Sequence, residues 1–347
     1  MGHTVTLLND IRSQLAPDDL ALKEARTRRD AVRDAVATFP GVLRTFASGS
    51  IAHATANCPV HQRDKGLDAD GGAVLDRRHH STLGPDSPWG LGPRAVVAEV
   101  AERLRRDLRA VYPKLQVTIT KRAILLEFGA PLPNGEDPTV DLVVGLERCA
   151  QPGLWIPNTE NNTWDPSHPE GHTQLLTANP KDQRVTRARA IRLAKAENKR
   201  HEQPLLCSFN LEALALMFVT QGMSVPHALA ATWRQGARDL RARLTPDPAG
   251  VSDPIKCRDR YAAADRLDVA ADRLESALAH DDDQTWVRHE LRQLWPEFVA
   301  PAPGQETKAR TAARLKSGGT LNVTTAGAVT TSAGASLKRT RAYGARH

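Results

Sequence analysis

Three aspartates in this chain have a spacing that suits metal-dependent phosphoryl chemistry. Asp68 and Asp70 flank a single residue, and Asp141 lies in the apolar run TVDLVVGLE. On a strand, residues i and i+2 point the same way, so Asp68 and Asp70 would present both carboxylates on one face, about 6–7 Å apart. Mg²⁺ prefers such hard oxygen ligands, and a third carboxylate from a neighbouring strand would let two ions bind side by side. This arrangement is typical of phosphoryl and nucleotidyl transfer.

A glycine–serine pair precedes these aspartates. Gly49-Ser50 follows the short apolar run VLRTFAS, where a strand is expected to turn into a helix. At such a turn, backbone N–H groups can approach a phosphate and the serine hydroxyl adds another donor. An Asp-x-Asp triplet alone is common in solvated loops, but the order Gly-Ser, Asp-x-Asp and strand aspartate is far more restrictive. We therefore expect a metal and nucleotide site here, with Gly71-Gly72 forming the turn that ends the first strand.

The elements that must position these residues change in character along the chain. Alternating and β-rich runs predict strands at 116–128 and 139–147, whereas 152–180, with five prolines, is expected to be a long ordered loop or domain crossover. Apolar spacing predicts helices at 18–38, 93–112, 183–202, 208–221, 225–243 and 258–298, the last broken at 281–283. Because strands lie in the first half and helices dominate the second, we expect an α+β fold in two domains.

The predicted organisation has three parts. Residues 1–165 would form a mixed-sheet core with an N-terminal helix, and residues 166–300 a helical nucleotide-binding domain. From about 301 the composition changes to Ala, Gly, Thr and Ser with interspersed basic residues, which offer too little apolar surface to offset the entropy of ordering. Residues 301–347 are therefore expected to be a disordered basic tail.

The position of the positive charge decides what it implies. The chain carries 47 basic and 40 acidic side chains, a net charge of +7. Residues 301–347 hold eight basic side chains and one acidic side chain, so residues 1–300 hold 39 of each. The body is neutral, which favours nucleotide substrates over a nucleic-acid template.

The sequence also favours a cytoplasmic protein. No stretch approaches 18 consecutive apolar residues, and the N-terminus lacks the charged-then-apolar pattern of a secretory signal. The four cysteines are scattered, without a CxxC pair, so neither a disulfide framework nor a structural zinc site is expected. A reducing cytoplasm, with no membrane partner, fits this pattern.

Four segments carry a resemblance to a known family. These are GSIAHATANCPVHQRDKGLDAD, VDLVV, the crossover WIPNTENNTWDPSHPEGH and the helical segment ARAIRLAKAENKRHEQPLLCSFNLEALAL. In this order, across residues 10–300, the chain resembles the CD-NTases, bacterial cyclic-oligonucleotide synthases related to oligoadenylate synthetase and cyclic GMP–AMP synthase. The resemblance implies a polymerase-β-like nucleotidyltransferase fold, with a mixed-sheet core joined to a helical second domain. The chain departs from the family in a long gap between Gly-Ser and Asp-x-Asp, and in Ala196-Glu197, where an aromatic residue is usual.

The resemblance also implies roles for residues in the helical segment. Lys195 and Ser208 would contact the triphosphate of the donor nucleotide, and Phe209, where the family usually has tyrosine, would stack on a base. General chemistry agrees, because lysine supplies a point charge, a helix N-terminus suits anions and an aromatic ring offers a π face. Each residue also has an ordinary structural interpretation: Lys195 as a solvated helix charge, Ser208 as an N-cap and Phe209 as a core residue.

By the same resemblance, the product would be a cyclic di- or oligonucleotide second messenger of antiphage defence, made from NTPs such as ATP with release of pyrophosphate. Asp68 and Asp70 would hold two Mg²⁺ or Mn²⁺ ions, and Asp141 would hold the ion nearer the attacking hydroxyl. A regulatory protein partner acting on the C-terminal tail is compatible with the sequence. Two alternatives stay open: a nucleotidyltransferase that modifies an RNA 3′ end or a small-molecule acceptor, and a catalytically inactive nucleotide- or nucleic-acid-binding protein. The neutral body disfavours RNA, and the three carboxylates disfavour the inactive protein.

Overall fold

The computed structural model describes residues 2–60, 66–178 and 180–301, together with the pairs 322–323, 329–330 and 335–336. Residues up to Phe298 form one compact unit, and Val299–His347 form a second. The strands of the first unit are β1 (Val42–Ser48), β2 (Asp68–Leu75), β3 (Gln116–Ile119), β4 (Ile124–Glu127), β5 (Thr139–Glu147), β6 (Leu154–Asn158) and β7 (Thr163–Ser167). Its helices are α1 (His3–Gln14), α2 (Asp19–Ala37), α3 (Gly49–Ala52), α4 (Arg94–Leu108), α5 (Pro169–Thr177), α6 (Lys181–Arg200), α7 (Ser208–Phe218), α8 (Val225–Ala242), α9 (Arg260–Ala279) and α10 (Gln284–Leu294).

A mixed seven-stranded sheet forms the first half of this unit. Its main path runs β1-β2-β5-β4-β3, while β6 pairs with both β5 and β7. β2 and β5 are parallel and the other pairs are antiparallel. One face packs against α2 and α4 in an apolar core that includes Val32, Ala73 and Val100. On the other face a smaller apolar cluster contains Phe46, Val74 and Leu154.

Most of the predicted helices and strands are present. The helix predicted at 18–38 is α2, and the Asp18 carboxylate caps it by accepting hydrogen bonds from the N–H groups of Leu20 and Ala21 at 2.9 and 3.1 Å. The strand predicted at 139–147 coincides with β5. The run 116–128 is two strands, β3 and β4, and the last helical run breaks between α9 and α10 as predicted.

The segment 152–180 is not the long loop that its prolines predicted. It contains the hairpin of β6 and β7, followed by α5. Pro166 lies on β7, an edge strand of the described sheet, where proline is tolerated. Pro169 is the first helical residue of α5, where a backbone N–H is not needed. The prolines therefore occupy positions that regular structure permits.

Gly71-Gly72 is not the predicted turn either, because both glycines lie inside β2. Gly72 is opposite Phe46 on β1 and Val143 on β5. A Cβ on Gly72 would lie 2.1 Å from Cζ of Phe46, so the aromatic ring fills the space that a side chain would need. The missing side chain at Gly72 therefore lets the Phe46 ring of the adjacent strand pack against β2.

The helices of the second half pack around two buried tryptophans. Trp233 of α8 and Trp295, just after α10, stack with ring centroids 5.9 Å apart. Trp295 Nε1 also donates a hydrogen bond to the carbonyl of Leu193 on α6 at 3.2 Å. These contacts join α6, α8 and α10. The domain boundary predicted at residue 165 falls within β7, and the division into two domains stays a prediction.

Of the helices in the described residues, none has the length and apolar character needed to span a membrane. The second unit contains β8 (Asn322–Val323), β9 (Val329–Thr330) and β10 (Ala335–Ser336), which pair antiparallel in the order β10-β8-β9. Most of the predicted basic tail lies outside the described residues, so its disorder stays a prediction.

Candidate active site

The three predicted carboxylates come together on adjacent strands. Asp70 of β2 and Asp141 of β5 lie opposite each other in the parallel ladder. Asp68 precedes Asp70 by two residues and shares its face. One oxygen from each of the three carboxylates lies within 4.8 Å of the other two. The hydroxyl of Thr139, at the start of β5, donates a hydrogen bond to Asp68 Oδ1 at 3.0 Å.

Burial and the neighbouring carboxylates together raise the pKa of Asp70 to about 8. Burial is the largest cause, and the negative charges of Asp68 and Asp141 add to it. Three converging carboxylates offer the hard oxygen ligands that Mg²⁺ and Mn²⁺ bind, and a divalent cation between them would offset their repulsion. The donor set therefore fits a divalent metal site.

Gly49 lies against these carboxylates at the turn from β1 into α3. Its φ is +71°, a conformation that side chains disfavour. A Cβ at this position would lie 1.7 Å from Oδ2 of Asp70. Only glycine therefore allows the turn to approach Asp70 so closely. Ser50 follows in α3 and, with Asp68 and Asp70, lines a cleft.

Lys195 of α6 reaches this region as part of a buried ion pair. Its Nζ lies 2.6 Å from Glu212 Oε1 on α7 and 3.1 Å from the hydroxyl of Thr55. Thr55 in turn donates a hydrogen bond to the same Glu212 oxygen at 2.7 Å, and His53 Nδ1 lies 3.3 Å from Glu212 Oε2. The Lys195 side chain is 6% exposed, so it is not a solvated helix charge.

The contact with Lys195 also determines the charge state of Glu212. Burial acts to raise the pKa of Glu212, but the positive charge of Lys195 and the nearby His53 ring outweigh it and lower the pKa to about 2. Glu212 is therefore an anion that holds Lys195 in place.

Ser208 and Phe209 begin α7 at the cleft. The N-cap of this helix is Cys207, so Ser208 is the first helical residue and is exposed. Phe209 is half-buried rather than a core residue, and its ring centroid lies 4.6 Å from that of His172 on α5. His172 Nε2 lies 2.6 Å from Oδ1 of the buried Asp247.

A cleft of about 430 Å³ joins these groups. Seven of the eight residues predicted from the sequence line it, namely Gly49, Ser50, Asp68, Asp70, Lys195, Ser208 and Phe209. The eighth, Asp141, adjoins it as the neighbour of Asp70. His53, His172 and Glu212 also line the cleft and were not predicted as site residues. His53, His172 and Glu212 all lie within the segments that carry the family resemblance, but no motif in those segments singled them out.

A second cleft, of about 610 Å³, lies on the same sheet face as the aspartates. Ile156 lines it and packs beside the cluster that contains Val74. Val74 follows Asp70 by four residues on β2, so the two side chains share a face. The charged and amide side chains that line this cleft are Lys121, Arg122, Asn158, Asn161, Asp165, Asp253 and Lys256.

Comparison with known proteins gives the fold. No protein-family model and no curated protein matches the chain. The structure is similar to that of the Bradyrhizobium diazoefficiens CD-NTase CdnG in complex with GTP, with a TM-score of 0.62 and 18% identity, covering 85% of this chain and 96% of that one. It is also similar to E. coli MS115-1 CdnC with ATP, with a TM-score of 0.60 and 18% identity, covering 86% and 99%.

A third solved structure, the Vibrio cholerae DncV cyclic AMP-GMP synthase with a linear intermediate, has a TM-score of 0.55 and 12% identity, covering 86% of this chain and 87% of that one. The chain therefore has the fold of the CD-NTases. The predicted fold class, a nucleotidyltransferase-type mixed sheet with a helical part, is confirmed.

Proposed function

We propose that this chain is a metal-dependent nucleotidyltransferase that joins NTPs into a cyclic di- or oligonucleotide and releases pyrophosphate. The observation that carries the proposal is a single cleft lined by Asp68 and Asp70 of β2, with Asp141 of β5 adjoining them, together with a buried lysine and the N-terminal turn of α7. Metal ligands and groups that bind a triphosphate are both needed for nucleotidyl transfer, and this cleft supplies both.

The donor nucleotide would bind between the sheet and the helices. Lys195 and Ser208 contact its triphosphate, Gly49-Ser50 supply further donors from the other side, and Phe209 stacks on its base. Glu212 holds the Lys195 ammonium at the cleft wall. The resulting orientation keeps the α-phosphorus close to the carboxylates.

Asp68, Asp70 and Asp141 would hold two Mg²⁺ or Mn²⁺ ions, which neutralise triphosphate charge and lower the pKa of the attacking hydroxyl. A 3′- or 2′-hydroxyl of the acceptor forms a bond to the α-phosphorus of the donor. The bond from that phosphorus to the bridging oxygen breaks, pyrophosphate leaves and the hydroxyl proton is released. A second transfer of the same kind closes the ring.

Ring closure needs a position for a second nucleotide. The cleft of about 610 Å³ supports this part of the proposal, because it lies on the sheet face that carries the aspartates and contains basic and amide side chains. These groups suit the phosphate and the base of an acceptor nucleotide.

We further propose a cytoplasmic role as the source of a second messenger in antiphage defence, with a regulatory protein partner that acts on the basic tail. NTP substrates and four free cysteines support the compartment. The neutral body supports free nucleotides rather than a nucleic-acid template as the substrate.

The test is product analysis by mass after incubation with the four NTPs and Mg²⁺ or Mn²⁺. The unchanged protein is expected to form a cyclic product and pyrophosphate. Asp68→Asn/Asp70→Asn should abolish both, because it removes two metal ligands while keeping side-chain shape. Asp30→Asn, an exposed aspartate on α2, is the matched control and should leave the yield unchanged.

Other outcomes separate the alternatives. Pyrophosphate released only when an RNA or small-molecule acceptor is added would replace the proposal with an acceptor-modifying nucleotidyltransferase. No turnover with either metal would support an inactive binding protein.

A further inference from the structure

A buried aspartate outside the catalytic carboxylates organises the loop after α8. Asp247 Oδ1 accepts a hydrogen bond from the N–H of Ala249 at 3.1 Å, and Oδ2 accepts from the N–H groups of Val251 and Ser252 at 2.9 and 2.8 Å. Its side chain is 1% exposed. Burial acts to raise the pKa of Asp247, but the hydrogen bond with His172 and the three N–H groups outweigh it and hold the pKa well below its usual range. Asp247 is therefore a buried anion.

This anion fixes the ring of His172. A carboxylate offers acceptors only, so Nε2 of His172 donates the hydrogen bond across the 2.6 Å contact. His172 belongs to α5, whereas Asp247 belongs to the loop after α8, so the bond joins two separate elements. The His172 ring is held at the cleft wall, with its centroid 4.6 Å from that of Phe209 and its plane tilted by 50°.

We infer that Asp247 is a positioning residue that acts through His172 to hold Phe209 in the orientation that stacks on the donor base. The inference rests on the proposed function. Phe209 is half-buried and begins a helix, so packing on His172 restricts the rotation of its ring. A ring that is already ordered loses less entropy when a base stacks on it. Asp247 provides this order without itself being among the residues that line the described cleft.

Loss of the Asp247 carboxylate should weaken the binding of ligands that carry a base and leave the binding of the phosphates unchanged. Asp247→Asn cannot accept from His172 and from all three N–H groups at once, because an amide has one oxygen. In calorimetric titrations with Mg²⁺, ATP should bind about tenfold more weakly, within the range that base–aromatic stacking contributes. Inorganic tripolyphosphate, which has no base, should bind within about twofold of the unchanged protein. Asp272→Asn, an exposed aspartate on α9, should change neither affinity.

A double-mutant cycle tests the route of the effect. Phe209→Ala should weaken ATP binding, and adding Asp247→Asn should weaken it no further, because both changes remove one interaction. His172→Gln keeps a donor for Asp247 but removes the ring, so it should retain the thermal stability of the unchanged protein and still weaken ATP binding. This variant tests the inference even where Asp247→Asn does not fold.

Three results would overturn the inference. They are additive losses in the cycle, an equal loss for tripolyphosphate and ATP, or full ATP affinity in His172→Gln. Failure of the unchanged protein to bind any of the four NTPs is a different result, which would overturn the proposed function and the inference with it.

Discussion

Position 49 requires glycine for two separate reasons. Its φ of +71° is unfavourable for side chains, and a Cβ would lie 1.7 Å from Asp70 Oδ2. Gly222, between α7 and α8, shares the first property, with φ +84°, but a Cβ there would meet nothing within 4 Å. A comparison of the two glycines thus separates backbone strain from collision with the Asp70 carboxylate.

Gly49→Ala should therefore lower nucleotidyl transfer by about 100-fold, because a displacement of Asp70 by about 1 Å has an effect of that size. Gly222→Ala should keep full activity while losing about 1–2 kcal/mol of stability from the same kind of strain. Product formation and the free energy of unfolding would be measured for both variants. Equal activity in the two variants would show that the approach of Gly49 to Asp70 has no role.

The lowered pKa of Glu212 predicts that the stability of the protein depends on pH. Its pKa is lowered from 4.5 to about 2, so its pairing with Lys195 is fully present above pH 4.5 and is lost as the pH falls toward 2. The lowered pKa corresponds to roughly 3 kcal/mol of folding stability at neutral pH. Glu212→Gln should lower the free energy of unfolding at neutral pH, and the gap from the unchanged protein should narrow on acidification through this window.

Denaturant unfolding at a series of pH values measures this gap. Glu202→Gln, an exposed change shortly before α7, is the control and should give a curve that follows that of the unchanged protein. A gap for Glu212→Gln that stays constant down to acid pH would contradict the assignment of the buried ion pair.

At the scale of elements, one arginine ties α2 to the segment before β5. The Arg28 side chain is 1% exposed, pairs with Asp137 and donates hydrogen bonds to the carbonyls of Pro138 and Ala130 at 2.7 and 2.6 Å. Its guanidinium also lies 4.7 Å from the centre of the Phe128 ring. Because β5 carries Asp141, this contact supports the register of a strand that contributes to the proposed metal site.

Arg28→Ala should destabilise the protein by about 3–5 kcal/mol, because it leaves buried acceptors without a donor. Arg26→Ala, on the exposed side of the same helix, should change the free energy of unfolding by less than about 0.5 kcal/mol. Chemical denaturation of the two variants measures the difference. Similar midpoints would mean that Arg28 does not anchor α2.

The elements also show where local sequence patterns are reliable. Apolar spacing located α2 and β5 because each has one continuous buried face. Proline counting failed for 152–180, since Pro166 lies at a sheet edge and Pro169 at a helix start. Gly72 was mistaken for a turn residue because the ring that fills its missing side chain, Phe46, belongs to another strand.

For the whole molecule, the cleft depends on contacts between distant parts of the chain. Gly49 and Glu212 line the same cleft although they are separated by most of the sheet and three helices. The fold shared with the CD-NTases brings these segments together although the chain is only 12–18% identical to the CdnG, CdnC and DncV structures. Folds of this kind tolerate extensive substitution where the packing pattern is retained.

The sequence by itself supplied the candidate residues of the site. Residues i and i+2 of a strand share a face, so local geometry predicted that Asp68 and Asp70 act with Asp141 as metal ligands. The family resemblance added Lys195 and Ser208 as predicted phosphate contacts. Only the tertiary structure decided which groups support them. The pairing of Lys195 with Glu212, and of His172 with Asp247, joins segments that are far apart in the chain, and no local periodicity records such partners.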